Sequence, residues 1–281
     1  MRAYAELHAL SNFTFLRGAS HPEELVHKAA ELGYEALALT DECSVSGIVR
    51  AHIAAKDYGL KKLIIGSEFR LPAHASGHLR LVVLAQTRKG YARLGRLITE
   101  GRRAAEKGSY RLDPRAFEDG LPGCLVLWMP GNRLVLDEQD RWILEAFRNR
   151  LWIAVELLAD GLERERTGRL QSLGHELGLP LVASGDVHMH CRERRAVQDT
   201  LTAIRLGTTL DQAGFALYPN GERCLRSRKR LASVYPAGLR QETIRIAQMI
   251  DFSLDELRYE YPDELVPEGE TPASHLRSLT E

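Results

Sequence analysis

The sequence predicts an α/β protein: a closed, somewhat irregular barrel of about seven strands, with an open doubly wound sheet as the alternative, followed by a mostly helical, turn-rich extension. Three observations predict it. Short apolar runs recur at residues 4–10, 35–40, 62–69, 79–85, 123–129, 151–158 and 180–185. Most of the segments between them are long enough for a crossover helix, the connection that parallel strands require. After about residue 206 the alternation stops, and turn signals such as Asn220-Gly-Glu-Arg223 and Tyr235-Pro-Ala-Gly238 take over around one good helix near 238–251. The expected organisation is a barrel over 1–205 and an extension over 206–281.

The first helix is marked by Ser20 and Glu23 at capping-box spacing, Pro22 in the first turn and Gly33 at the end, with Leu25, Ala29 and Leu32 as its buried stripe. A second is expected from Ser44 to Tyr58, before Gly59, and others over 88–100, 138–149, 162–177 and 191–205. One connection breaks the pattern. Pro72-Ala-His-Ala-Ser-Gly77 is too short for a helix, so the strands around it should form an antiparallel hairpin that returns His78 beside the end carrying Glu68.

Lys+Arg and Asp+Glu both number 38, so no global basic field drives nucleic-acid or membrane contact. Arg93, Arg96, Arg102, Arg103 and Lys107, and again Arg192, Arg194 and Arg195, form runs that read first as solvated helix faces. The segment from Glu256 to Glu270 is acidic and would repel phosphate. Cys43, Cys124, Cys191 and Cys224 are widely spaced with no C-x-x-C pair, which argues against a zinc ribbon and for a reducing cytoplasm. No apolar run approaches a bilayer span, and the N-terminus has no signal-peptide core. The chain stops within the amphipathic pattern Leu276-Arg-Ser-Leu-Thr-Glu281, as at the edge of a longer protein.

Candidate chemistry lies at the predicted C-terminal strand ends, where barrel loops converge. His8 alternates in phase with Glu6 and Leu10; Asp41 and Glu42 follow the second strand; Glu68 ends the third; Asp186 and His188 end the seventh. Imidazole and carboxylate together suit a divalent ion that activates water and clamps phosphate oxygens. Each residue has an ordinary alternative: His8 as a structural histidine, Asp41 as a helix cap, Glu68 as an exposed acid. Asp186 and His188 are the sharpest pair and the catalytic candidates.

The order Glu-Leu-His8, Leu-Thr-Asp41, Gly-Ser-Glu68, His78-Leu and Gly-Asp186-Val-His188 resembles the polymerase and histidinol phosphatase (PHP) domain. More closely, it resembles the N-terminal region of bacterial C-family DNA polymerase III α subunits. Ser11-Asn-Phe-Thr-Phe-Leu-Arg-Gly-Ala-Ser20, Thr40-Asp-Glu-Cys43, Gly185-Asp-Val-His-Met-His190 and Leu254-Asp-Glu-Leu-Arg-Tyr-Glu-Tyr-Pro262 look like the error-prone, damage-inducible paralogue. The resemblance implies a distorted seven-stranded βα barrel and a metal set of His8, Glu68, His78, Asp186 and His188. It also implies degenerate ligand positions: Leu10 for a second histidine, Arg17 for an aspartate and Glu42 for a histidine. One or two divalent ions (Zn, Mn or Mg), or none, are then expected in place of the family's trinuclear cluster, and an ion pair between Arg17 and Glu42 is expected near His188.

Three functions follow. The leading one is the PHP scaffold of an error-prone, translesion DNA polymerase. Its partners would be the palm and thumb of the remaining chain, DNA through that parent chain, and the damage-tolerance machinery, with no membrane. The second is a live metal-dependent phosphoesterase or 3′–5′ exonuclease. The third is a stand-alone phosphatase resembling histidinol phosphatase.

Overall fold

The computed structural model describes residues 3–73, 77–131, 134–257, 266–267 and 269–281. Seven strands form one sheet in sequence order. They are β1 (Ala5–Ala9), β2 (Ala36–Leu39), β3 (Leu63–Ala73), β4 (Gly77–Ala85), β5 (Cys124–Met129), β6 (Leu151–Glu156) and β7 (Leu181–Ser184). The helices that cross between them are α1 (Pro22–Glu31), α2 (Ile48–Asp57), α3 (Arg88–Arg103), α4 (Trp142–Ala146) and α5 (Glu163–Leu177). Beyond β7 come α6 (Arg195–Leu206), α7 (Leu210–Ala213), α8 (Arg228–Val234), α9 (Ala237–Met249) and α10 (Pro272–Thr280).

The hairpin expected around residue 75 is present: β3 and β4 pair antiparallel from Gly66 opposite Leu84 to Ala73 opposite Gly77. Its register puts Val82 opposite Glu68, whereas His78 pairs four positions further on, with Pro72. The β4–β5 pair is antiparallel as well, because β4 alone runs against the other six strands. The remaining neighbours are parallel.

Alternate side chains separate two apolar layers, as strand geometry demands. Leu37 and Leu39, Val83, Val126 and Trp128, and Ile153 and Val155 pack with Leu25 and Val26 of α1, Ala51 of α2, Leu94 of α3 and Leu170 of α5. The opposite face fills the barrel with Ala5 and Leu7, Ala36 and Ala38, Val82 and Leu84, Leu125 and Leu127, and Trp152 and Ala154. Ile246 and Ala247 of α9 and the following Ile250 belong to this inner layer. Helix α9 therefore closes the barrel at the strand starts. Its Thr243 Oγ1 accepts from Ala5 N at 3.2 Å, Glu242 accepts from Trp152 Nε1 at 2.7 Å, and Lys62 Nζ donates to the carbonyls of Ala247 and Ile250. The position 205/206 falls in the last turn of α6, and the floor of the barrel comes from the chain beyond it.

The seam between β1 and β7 closes only at the strand ends. Leu10 N donates to Val187 O at 2.8 Å and Val187 N to His8 O at 3.0 Å. Lower down, the Glu6 carboxylate takes over, accepting from Gly185 N at 3.0 Å, His8 N at 3.2 Å and Tyr4 Oη at 2.9 Å. Burial raises its pKa, against the pull of these donors. A Cβ at residue 185 would sit 2.4 Å from Glu6 Oε2, so any larger residue there must displace this carboxylate. A register shift between Glu6 and Ala9 breaks the simple alternation. Glu6 consequently serves the seam instead of joining His8, contrary to the in-phase expectation.

Local signals held with adjustments. Helix α1 begins one residue later than the Ser20–Glu23 spacing suggests: Glu24 Oε2 accepts from His21 N at 2.8 Å, and Ser20 instead bonds His190. Helix α2 starts at Ile48 because Ser44 and Ser46 hold a turn before it. The segment 138–149 gives only a 3₁₀ turn and the short α4.

If α9 is the floor of the barrel, Ile246→Ala, which opens a cavity at a fully buried site, should cost about 2–4 kcal/mol. Urea unfolding should show a lower midpoint with an unchanged slope; a loss below about 0.5 kcal/mol would contradict this role for α9.

Candidate metal and ion-pair centre

At the opposite end of the barrel, β1, β3 and the β7 loop deliver His8, Glu68 and Asp186 to one buried point. His8 Nε2 lies 2.8 Å from Glu68 Oε2, and His8 Nδ1 3.5 Å from Asp186 Oδ1. Asp186 sits at φ +41°, in the left-handed region, where the chain turns sharply after β7. His188 returns toward it, with Nε2 3.2 Å from Asp186 Oδ1.

Glu68 is the hub. The exposed-acid alternative fails, since the residue is fully buried. Its Oε1 accepts from Arg17 Nη1 and Arg70 Nε, both at 3.0 Å; its Oε2 faces His8 and Arg80 Nη2, the latter at 3.3 Å. Burial alone would raise the Glu68 pKa, but Arg80, Arg17 and the His8 hydrogen bond outweigh it and hold the carboxyl well below its ordinary range. Arg17 also binds Glu42 Oε2, and Tyr110 Oη donates to Glu42 Oε1 at 2.9 Å. Asp186 meets Arg80 at 3.5 Å and is ion-paired with Arg223, whose guanidinium stacks 4.3 Å from the Tyr218 ring. Burial lowers Arg223 to about 10. Arg80 also reaches Glu156 at 3.8 Å. Four guanidinium groups thus interleave with the carboxylates of Glu42, Glu68, Glu156 and Asp186, in balanced charge.

The remaining candidates divide. Leu10 is buried and offers no donor atom. Asp41 caps no helix; it accepts from Ser11 N, Ser11 Oγ and Thr14 Oγ1 at 2.8, 2.7 and 2.6 Å, pinning the loop after β1. The His78 side chain lies outside the described residues, as does most of the acidic segment 256–270. Six members of the basic runs are engaged: Arg93 with Asp119, Arg96 with Glu100, Arg102 with the carbonyls of Glu42 and Cys43, Arg192 with Glu222, Arg194 with Glu24 and Arg195 with Asp199.

The sequence reading passed over Arg70, Arg80, Arg223 and Gln198. Arg70 follows Glu68 by two residues and Arg80 follows His78 by two, so strand alternation puts each pair on one face. That signal was available. Arg223 and Gln198 arrive from the C-terminal loop and α6, with no local pattern to announce them.

The donor set fits one ion. His8, Glu68 and Asp186 each offer a ligand atom, all within 4.8 Å of one another, and His8 Nδ1 is buried without a hydrogen-bond partner. A nitrogen and two carboxylate oxygens suit zinc or manganese. Among the described residues the set does not fit three ions, because Leu10 supplies nothing and guanidinium nitrogens take the oxygens that further ions would need.

The chain belongs to the family of error-prone DNA polymerases by its sequence relatives. Residues 6–127 match the PHP domain family. Over 99% of its length the chain is 58% identical to an error-prone DNA polymerase from Dechloromonas aromatica, covering 27% of that protein, and 58% identical to one from Methylococcus capsulatus, covering 26%. It is 51% identical over its whole length to an error-prone DNA polymerase from Pseudomonas aeruginosa, covering 27% of it. The chain thus spans about a quarter of the length of these curated relatives. A proposed metal-dependent phosphoesterase from Bifidobacterium adolescentis superposes with a TM-score of 0.49 at 14% identity, over 66% of this chain and 88% of that one.

Breaking the hub tests the network. Glu68→Gln leaves Arg17, Arg70 and Arg80 short of countercharge in a buried setting, and should cost about 3–5 kcal/mol by urea denaturation. The double variant Glu68→Met, Arg80→Met should recover part of that loss, since it removes a charge of each sign.

Proposed function

We propose, on the premise that the chain carries a PHP domain and is homologous over nearly its whole length to error-prone DNA polymerases, that it serves such a polymerase as a structural domain. The proposal holds that guanidinium groups have taken over most of the work of metal ions at the barrel mouth. The observation that carries it is the coordination of Glu68: Arg17, Arg70, Arg80 and His8 occupy both oxygens. A carboxylate that would bridge two ions is here cross-linked to protein cations from β3, β4 and the loop after β1. Cross-links of this kind define one geometry without adding much net stability.

At most one ion, zinc, manganese or magnesium, would be held by His8, Glu68 and Asp186; when bound it would lower the pKa of a coordinated water and polarise a phosphate oxygen. This chain's own residues restrict that use. Arg80 lies against both Glu68 and Asp186 and must withdraw before an ion can take those oxygens. Arg17 holds Glu42 and Glu68 together where a further ligand would be needed. Polymerisation itself, the remaining polymerase chain with its palm and thumb, DNA and the damage-tolerance partners belong, in this proposal, to the longer parent chain, with residues 1–205 as the barrel and 206–281 as its extension. Among the described residues no helix is long and apolar enough to cross a membrane.

Two measurements separate scaffold from hydrolase. Prolonged chelation should leave the circular dichroism spectrum and the melting temperature unchanged, because the buried carboxylates keep their arginine partners. Hydrolysis of an aryl phosphate and of single-stranded DNA, with Zn²⁺ or Mn²⁺ supplied, should stay at background. Turnover that needs the metal and vanishes in Asp186→Ala would overturn the scaffold reading in favour of the phosphoesterase.

A further inference from the structure

His188 has the residue type and position of a metal ligand, yet both of its nitrogens are committed elsewhere. Nδ1 lies 2.7 Å from Gln198 Nε2, and Nε2 lies 3.2 Å from Asp186 Oδ1. The ring is fully buried, and the edge-to-face Tyr218 ring, 5.4 Å away, restrains it further.

The orientation of a glutamine amide is decided by its whole hydrogen-bond network, and this network has one consistent solution. Gln198 Nε2 is also 3.2 Å from the main-chain carbonyl oxygen of Arg17. Flipping the amide would press Oε1 against that carbonyl, oxygen against oxygen. With the NH₂ group in place, one proton goes to Arg17 O and the other to His188 Nδ1, which satisfies both. Nδ1 is then an acceptor, so the single proton of the neutral ring sits on Nε2. There it points at Asp186, an ionised partner of Arg80 and Arg223.

We infer that Gln198 is a positioning residue that locks His188 in its Nε2–H tautomer, making His188 a hydrogen-bond donor that orients Asp186 and withdrawing it from metal ligation. An ion at His188 Nε2 would need a lone pair there and hence a proton on Nδ1, the atom that faces the Gln198 donor. Among the described residues the metal-competent set at the barrel mouth is then His8, Glu68 and Asp186. The lock originates in α6, outside the strands that carry the acids. The inference deepens the proposed reading, but its primary test runs on metal-free protein and does not depend on that reading.

The test is a long-range ¹H–¹⁵N correlation spectrum of the full chain labelled with ¹⁵N-histidine and stripped with EDTA, with His188 assigned by the signal lost in His188→Asn. The expected pattern is a protonated Nε2 and an unprotonated Nδ1. Adding Zn²⁺ should move the His8 signals or none, and leave those of His188 in place. In Gln198→Glu the carboxylate becomes an acceptor, so the proton should move to Nδ1. Zn²⁺ affinity, read by competition with a chromophoric chelator, should then rise about tenfold as Nε2 becomes a ligand. A protonated Nδ1 in the unsubstituted chain, or His188 signals that shift on Zn²⁺ binding, would overturn the inference. The wild-type spectrum suffices to decide it if Gln198→Glu fails to fold. Metal-dependent turnover with unmoved His188 signals would sink the scaffold reading and leave this inference standing.

Discussion

Everything at the barrel mouth depends on one buried carboxylate, Glu68, and on how its charge is neutralised. A lone ionised carboxylate in such a place would cost several kcal/mol, and either a metal or a protein cation must meet it. Here four donors converge on its two oxygens, from the loop after β1, from β3 itself, from β4 and from His8 on β1. The arrangement joins β1, β3 and β4 and offsets the mutual repulsion of Glu42, Glu68 and Asp186 at the ends of β2, β3 and β7. A guanidinium differs from an ion in one respect that matters for chemistry: it has no vacant coordination position for water. Replacing metal with arginine can therefore preserve the architecture of a hydrolytic centre while removing its nucleophile.

The two ends of the barrel solve different problems. At the strand starts, α9 supplies apolar side chains to the inner layer and polar ones to the Ala5 amide and the Trp152 indole, so the floor is sealed by ordinary burial. The β1–β7 seam cannot zip completely, and Glu6 accepts the amide protons that a neighbouring strand would otherwise receive. At the mouth, the chain beyond β7 reaches back through His188, Tyr218 and Arg223. An isolated parallel bridge between Met189 and Cys224 ties these loops together. The segments after residue 206 are thus placed where they can influence both the stability of the barrel and the electrostatics of its mouth.

Legibility followed the range of the interaction. Strand positions could be read because apolar runs of six to eight residues need no distant partner to be recognised, and the hairpin because six residues cannot cross over. The convergence of His8, Glu68 and Asp186 was legible from strand-end logic, and Arg17 and Glu42 from resemblance. The hidden elements were the ones set by pairing register. His78 looked close to Glu68 along the chain, yet the hairpin places Val82 opposite Glu68. Glu6 looked in phase with His8, and a bulge sent it to the seam instead. Asp41 looked like a cap or a ligand, and became the anchor of the loop that carries Arg17.

By itself, then, the sequence pointed to a barrel of about seven strands, because apolar periodicity is a local property of the chain, while Leu10 and Arg17 stood out as replaced metal-site positions only through the resemblance to a family. Only the tertiary structure decided that Arg70, Arg80 and Arg223 complete the charge balance, and that Gln198 claims His188. These side chains come from elements far apart in sequence, and the energy of a buried charge depends on which partners lie within a few ångströms of it, a quantity that no local pattern encodes.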